Sequence, residues 1–365
     1  MITVFVIGPR GFPNVQGGIE RFSEGFYPLL VKKGYVVVCF VLSKYSFRKE
    51  WMGVKFIRVP SIGSKFFEKP LYNFFATLYC IAKRPDIVHV HSVASGMFIF
   101  LLKLFRLKIV ARYNSMDYLH NKWNFIGKAI LKNSERQFFL ADYIITNNKS
   151  FLFHFKEKGR KNNLSYIPNG VEIFDKEKYI QNFNSTISNG LERKKYILYV
   201  GRITPEKNIA SLIEAFLQIE DKKLKLVIAG DAAHNDNYFS LLKRKYSDER
   251  ILFIGKVERE NLNSFYANCG LFVIPSFTEG TPNVLLEAMS FNCPILASRI
   301  PAHLEFRFDN DSYFFPNDIE ELKQKMIQKL SFAENPNYTS SLSAHQWPQI
   351  VERIHNIHEK LLTPR

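Results

Sequence analysis

The sequence predicts an α/β protein made of two doubly wound domains, on three observations. The chain has 365 residues, more than one typical core holds. Both halves alternate short β-branched runs with helical patterns, the rhythm of strands joined by helices into a parallel sheet. A polar stretch rich in Asn and Ser, "DKEKYIQNFNSTISNGLERKK", separates the two series. The expected division is a domain over 1–174, a linker over 175–194, a domain over 195–344 and a C-terminal helix over 345–365. The apolar stripe of that helix suits packing back on the first domain.

In the first half the strand candidates are "TVFVIG", "VVVCFVL", "VKFIRV", "DIVHVHS", "KIVARYN", "YIITNN" and "SYIPNG". Helical patterns lie between them, among them "IERFSEGFYPLLVKKG" and "KWNFIGKAILKNSERQFFLA". The second half opens a new series with "KYILYVGR", "KLKLVIAGD", "ILFIGK", "LFVIPS", "PILAS" and "YFFP". Two Rossmann-like domains of this kind, facing across a cleft, bind ligands beyond the C-terminal ends of their strands.

Composition narrows the classes. Hydrophobic residues make up 46% and charged residues 23%, which excludes a disordered chain. Four scattered cysteines form neither a C-x-x-C pair nor a Cys/His cluster, which argues against a disulfide framework or structural zinc. The N-terminus "MITVFVIGPR" reads as a first strand rather than a signal peptide. No apolar run reaches the roughly 18 residues of a spanning helix. Residues 1–174 hold 26 Lys/Arg against 10 Asp/Glu, whereas residues 175–365 hold 24 of each. The excess positive charge therefore sits in the first half, which points to an anionic partner such as acidic lipid headgroups or nucleic acid, or to a plain bias towards Lys.

Two stretches in the second half carry chemistry. In "FTEGTPNVLLEAM", seven residues separate Glu279 from Glu287, and Gly280, Thr281, Pro282 and Asn283 lead from a strand end into a helix. The free N–H groups of a helix start suit an anion. Glu287 falls about two turns into that helix, where an inward acid needs polar partners such as sugar hydroxyls. In "RITPEKN", Arg202 and Lys207 flank another strand-to-helix turn and form a pair of cations suited to a diphosphate. A surface Glu and a surface salt-bridge Arg are the alternatives for either stretch taken alone.

Together "VGRITPEKN", "IAGD", "FIGKV" and "VIPSFTEGTPNVLLEAM" followed by "PILAS" resemble the retaining nucleotide-sugar glycosyltransferases of family 4. That resemblance implies the GT-B fold of two facing Rossmann domains. It implies that Arg202 and Lys207 hold the donor phosphates and that Glu287 binds ribose hydroxyls. It places Glu279 and the backbone of Gly280–Asn283 on the donor sugar and phosphate, with Lys256 and Asp231 near the nucleobase. The opening "VIGPRGFPNVQGGIERF" matches neither G-x-G-x-x-G nor Walker A, but resembles members of this family that assemble bacterial capsule and O-antigen polysaccharides. There Gly17 and Gly18 let the loop approach the donor phosphates, since Gly carries no Cβ.

Strand "DIVHVHS" puts His89 and His91 on one face, and His91 is the better candidate for a catalytic contact, with a structural role as the alternative. "RYNSMDYLHNKW" is reminiscent of the same subgroup through Asp117, Tyr118, Lys122 and Trp123. Many relatives carry His where this chain has Tyr113 and Asn114. Asn114 and Asp117 remain candidates for acceptor or sugar contact, but Asn114 cannot carry a proton.

No Ser-His-Asp set and no close carboxylate pair is evident, so the protein's part is expected to be positioning and charge stabilisation. The resemblance implies retention through a same-face displacement in which the leaving diphosphate helps deprotonate the acceptor. With two cations offsetting the diphosphate, no metal and no other cofactor is expected. The expected partners are a nucleotide-sugar donor, a polyprenyl-diphosphate-linked saccharide acceptor and the anionic inner face of the cell membrane, while nucleic acid is the less favoured anion. The aromatic, basic run at 64–84 suits interfacial docking and a cytoplasmic, peripheral location. A sugar-nucleotide epimerase of the same shape and a non-catalytic adaptor are the rivals, separated from a transferase by product analysis.

Overall fold

The computed structural model describes residues 1–61, 67–119, 123–181, 183, 190–232, 237–332 and 336–363. The chain divides into two compact units, Met1–Gly170 with Ala344–Arg365, and Val171–Ser343.

The first unit is built on an eight-stranded sheet. Its strands are β1 (Thr3–Ile7), β2 (Val36–Leu42), β3 (Glu50–Trp51), β4 (Val54–Val59), β5 (Ile87–His91), β6 (Ile109–Tyr113), β7 (Tyr143–Thr146) and β8 (Leu164–Tyr166), in the order β3-β4-β2-β1-β5-β6-β7-β8. All pairs are parallel except β3 with β4. The strands read as near-continuous apolar runs because helices cover both faces. One face buries Phe5, Val38, Val88 and Ile109, and the other buries Val4, Val37, Ile87 and Val110. The hairpin of β3 with β4 was not foreseen, since two residues carry too little periodicity to register.

Helix α1 (Gly18–Lys32) sends Phe22, Phe26, Tyr27 and Leu30 into the second of these faces. The C-terminal helix Trp347–Leu362 covers the same face through Ile350, Val351, Ile354 and Ile357. Trp347 fits there only because two neighbours are glycines. A Cβ on Gly25 would lie 2.2 Å from its ring, and one on Gly170 would lie 2.3 Å away. Lys33 pairs with Glu352 at 2.7 Å, and Tyr35 meets His355 Nδ1 at 2.7 Å. The remaining helices of this unit include α2 (Glu68–Lys83), α3 (Ile99–Leu104), α4 (Phe125–Gln137) and α5 (Lys149–Glu157).

The second unit is built on six parallel strands, β9 (Tyr196–Val200), β10 (Lys225–Ala229), β11 (Ile251–Gly255), β12 (Leu271–Ile274), β13 (Ile295–Ser298) and β14 (Tyr313–Phe314), in the order β11-β10-β9-β12-β13-β14. The stretch 175–194, read from composition as a linker, is packed into this unit wherever it is described. Helix α6 (Lys176–Gln181) lies against the helix Arg259–Asn268, and Asn268 Nδ2 donates to Tyr179 O at 3.2 Å. Phe174 stacks on Phe291 at 5.0 Å, and the Phe183 ring lies 6.1 Å from that of Tyr196. Aromatic residues spaced through a polar stretch carry the packing here, and a composition average hides them.

In both units the chain runs outward from the central strand and then returns to its other side. The reversal falls between β1 and β5 in the first unit and between β9 and β12 in the second. Such switch points are where doubly wound sheets bind ligands.

Candidate active site

At the switch point of the second unit, Gly201 and Arg202 follow the end of β9, and a short turn Pro205–Lys207 leads into the helix Ile209–Leu217. Across the reversal, β12 ends before Pro275 and Ser276, and the loop continues through Glu279 to the helix Asn283–Ser290. The two loops are tied together by their backbones, Phe277 N donating to Glu206 O at 3.0 Å. This tie brings Lys207 Nζ to 2.5 Å from Glu279 Oε1, and Ser276 Oγ donates to the same oxygen at 2.7 Å. Both charged side chains are mostly buried. Burial pushes the Glu279 carboxyl up, but Lys207, His303 and the two hydrogen bonds outweigh it and hold it below its usual value. The site therefore holds the Glu279 carboxylate in its anionic form, with the Lys207 side chain against it.

Arg202 is exposed at the rim, and its carbonyl accepts from Tyr199 Oη at 3.0 Å. Asp231 and Lys256 follow β10 and β11, the next strands outward, and both are exposed. Gly280, Thr281 and Asn283 are half-buried, and Pro282 is buried just before the helix. On that helix Glu287 is half-buried, and Tyr266 Oη donates to its Oε2 at 3.3 Å. The sequence-predicted residues thus lie along one edge of one sheet, and Lys207 with Glu279 are in direct contact.

His303 was not foreseen. It is wholly buried, and its Nδ1 lies 2.8 Å from Ser298 O. Burial, helped by Lys207 and opposed by Glu279 and the Ser298 carbonyl, takes it down to about 4, so the ring is neutral at pH 7. The signal in "PAHLE" was a histidine right after a strand end, and nothing in its spacing tied it to Glu279.

In the first unit, the loop after β1 closes on itself. Glu20 is buried and accepts from Arg10 Nε at 2.8 Å and from Arg10 N at 3.1 Å. A Cβ on Gly17 would lie 1.9 Å from Glu20 Oε2. The anion against Gly17 in this structure is therefore the carboxylate of Glu20. Gly18 is the first residue of α1.

His91 is at the end of β5 as expected, but it is 1% exposed. Its Nε2 lies 2.6 Å from Tyr27 Oη, which is also 3.0 Å from His89 Nδ1, and His89 Nε2 meets His358 Nε2 at 2.7 Å. Burial, with Arg112 beside it, takes His91 down to about 3. As placed, His91 joins a neutral internal chain and presents no face to solvent. Its register partner Arg112 on β6 is buried as well, donating from Nη2 to Ile167 O, Pro168 O and Asn169 Oδ1 at 3.0–3.1 Å. Its guanidinium sits 3.9 Å from the Phe22 ring, and burial holds it at about 9. Asn114 and Asp117 are half-buried beyond β6, where Ser115 Oγ donates to Asp117 Oδ1 at 2.5 Å. Lys122 lies outside the described residues. Among the described residues no cluster of His, Cys, Asp and Glu could hold a metal ion, and no helix is long and apolar enough to cross a membrane.

Comparison with known proteins gives this geometry a family. The model for glycosyl transferases group 1 matches residues 181–341, and the model for glycosyltransferase family 4 matches residues 16–173, so the two together span most of the chain. A Campylobacter jejuni relative, N-acetylgalactosamine-N,N'-diacetylbacillosaminyl-diphospho-undecaprenol 4-alpha-N-acetylgalactosaminyltransferase, is 25% identical over 82% of this chain and 82% of its own length. The amylovoran biosynthesis glycosyltransferase AmsD of Erwinia amylovora is 23% identical over 87% of this chain and 88% of its own. The crystal structure of Anabaena HepE in complex with UDP covers 99% of this chain and 100% of its own with a TM-score of 0.76 at 16% identity, a likeness of fold. The chain belongs to the group 1, family 4 glycosyltransferases, and its two units are the two Rossmann-like halves of the GT-B fold.

Proposed function

We propose that the protein transfers a sugar, with retention, from a nucleotide-diphosphate-sugar to a polyprenyl-diphosphate-linked saccharide during assembly of a bacterial surface polysaccharide. The observation that carries this reading is the meeting of Lys207 and Glu279 at the switch point of the second unit, with Arg202 on the same strand end. The names of the relatives support this reading, one naming a diphospho-undecaprenol substrate and another amylovoran biosynthesis. The UDP held by a protein of the same fold supports a uridine nucleotide as the donor carrier.

In this reading Arg202, Lys207 and the N-terminus of the helix Asn283–Ser290 offset the charge of the leaving diphosphate. The bond from the anomeric carbon to the phosphate oxygen breaks, the acceptor oxygen forms the new bond on the same face, and the departing diphosphate takes the hydroxyl proton. Glu279 orients the donor sugar, and Glu287 accepts from the ribose hydroxyls. Arg202, Lys207 and the helix N-terminus are the groups that the scheme sets against the diphosphate, and it calls on no metal.

The surface of the first unit suits a peripheral membrane enzyme. Helix α2 exposes Phe74, Phe75, Leu78 and Tyr79, while residues 64–66 of the run read as an interfacial stretch lie outside the described residues. Helix α4 exposes Phe125, Ile126 and Ile130 beside Lys132 and Arg136. Aromatic and aliphatic side chains flanked by cations fit the boundary of an anionic leaflet.

The test is thermal stabilisation by UDP-, GDP- and dTDP-sugars, since a ligand that binds only the native state raises its melting temperature. The expected result is a shift with UDP-sugars. No shift with any nucleotide sugar would reject the assigned donor site.

A further inference from the structure

The loop that carries Glu279 is tied on two sides. Towards β9, Phe277 N donates to Glu206 O and Lys207 reaches Glu279 Oε1. Towards β13, three wholly buried residues, Ser276, Ser298 and His303, form the second tie. Ser298 Oγ, at the end of β13, donates to Ser276 O at 2.6 Å, and Ser276 Oγ donates to Glu279 Oε1 at 2.7 Å. His303 Nδ1, on the helical turn Pro301–Leu304, lies 2.8 Å from Ser298 O and 3.2 Å from Ser298 Oγ.

Hydrogen-bond chemistry fixes the direction of this chain. A carbonyl only accepts, so Nδ1 carries the ring proton that Ser298 O receives. The single hydroxyl proton of Ser298 goes to Ser276 O, so its oxygen is free to accept from the same Nδ1–H. The Ser276 proton goes to the carboxylate. Each group thus donates towards Glu279, and a hydroxyl that accepts on its oxygen is the stronger donor for it. The ring is set from outside the loop, since His303 N donates to Ile300 O at 3.0 Å and Tyr313 Oη of β14 donates to His303 O at 3.2 Å. His303 Nε2 is buried and meets no partner among the described residues, so the hydrogen bonding of the ring runs through Nδ1.

We propose that Ser298 and His303 are positioning residues for the transfer: through Ser276 they hold the Glu279 carboxylate in the place from which it orients the donor sugar. This inference rests on the role given to Glu279 above. Neither residue touches substrate, and both act through the loop. Lys207 cannot do this alone, because it also serves the diphosphate and its ammonium sits on a flexible stem. When Lys207 turns to the phosphates, Ser276 is the donor that stays on the carboxylate.

The test compares the wild-type chain with Ser298→Ala, His303→Asn and His303→Gln, using the UDP-sugar that most raises its melting temperature and a prenyl-diphosphate-linked N-acetylhexosamine as acceptor. Asn puts an N–H donor near the position of Nδ1, whereas Gln puts one near Nε2. Ser298→Ala removes one hydroxyl and no backbone link, so it reports even where a His303 variant fails to fold. Ser298→Ala and His303→Gln are expected to lower kcat about tenfold, and His303→Asn to stay within about threefold of the wild type, because small misplacements of a positioned group are costly. The affinity for UDP, which carries no sugar, is expected to stay within about twofold by titration in all three. An unchanged kcat in folded Ser298→Ala, or a parallel loss of UDP affinity, overturns the role of the chain alone. So does a His303→Gln variant that keeps the activity His303→Asn loses, since the working atom would then be Nε2. A wild-type protein that neither binds nor turns over any UDP-sugar overturns the donor reading, and the role of Ser298 and His303 with it.

Discussion

Lys207 and Glu279 are 72 positions apart in the chain and 2.5 Å apart in space, and each is mostly buried. Their energetics follow from that burial. Removing Lys207 leaves a carboxylate in a site that cannot hydrate it, at a cost of about 1–3 kcal/mol. The single variants Lys207→Ala and Glu279→Ala are expected to lower turnover by about 10²- to 10³-fold, the size seen when one preorganised charge or donor is removed. Their far-ultraviolet circular dichroism should match the wild type. Undiminished turnover in either variant would refute the assignment. The pair also sets a pH limit. The folded-state carboxyl of Glu279 lies below its unfolded value, so its contribution to stability is present above the usual carboxylate range and is lost as pH falls through the lowered one. Gly17 carries a different constraint, because the Cβ of any other residue would enter the space of the Glu20 carboxylate.

The C-terminal helix Trp347–Leu362 is as much a part of the first unit as α1 is. It contributes Ile350, Val351, Ile354 and Ile357 to the core, and His358 to the chain of Tyr27, His89 and His91. The groups facing this chain include Arg112 from β6, Cys39 from β2, Tyr72 from α2, Tyr35 ahead of β2 and His355 from the helix itself. Burial first, with Arg112 beside His91 and His355 beside His358, takes both histidines down to about 3 from the ordinary 6.5. The unfolded chain takes up protons below 6.5 that the native core refuses, so these residues destabilise the fold progressively from pH 6.5 down to about 3. Each such histidine adds up to about 1.4 kcal/mol per pH unit within that window. His358→Gln, which keeps a hydrogen-bonding partner for His89, is expected to flatten the fall of the urea midpoint between pH 6.5 and pH 4. An unchanged slope would mean that His358 is already charged in the native protein.

Charge at the scale of the whole molecule is lopsided, with all of the net positive charge in residues 1–174. The helices α2 and α4 that expose apolar side chains belong to that half. Electrostatic attraction falls off within about 8 Å at physiological salt, so it brings the protein to an anionic surface, and apolar insertion then holds it there. The full chain is expected to sediment with vesicles containing anionic lipid and not with neutral vesicles at low salt. Phe125→Ser with Ile126→Ser on α4 should weaken that binding without changing the melting temperature. Equal binding to neutral and anionic vesicles would remove the membrane from the account.

The strands were readable in the sequence because buried parallel strands are short β-branched runs between helices, and twelve of the described strands lie within the stretches expected, with β8 starting one residue ahead of its stretch and β3 being the exception. The residues of the donor-side site were readable too, since "RITPEKN" and "FTEGTPNVLLEAM" are local strand-to-helix turns whose chemistry lies in consecutive residues. What the sequence by itself determined was thus the α/β class, the two series of strands and the motifs at their ends. Only the tertiary structure decided that Lys207 grips Glu279, that His303 lies buried beside that pair, that Glu20 fills the space above Gly17, and that Glu135 gathers Tyr113, His154 and Lys158. The physical reason is the same in each case. Secondary structure follows from local periodicity, whereas the partner of a buried charge is chosen by the fold, which brings distant residues together and removes the water that would otherwise satisfy them.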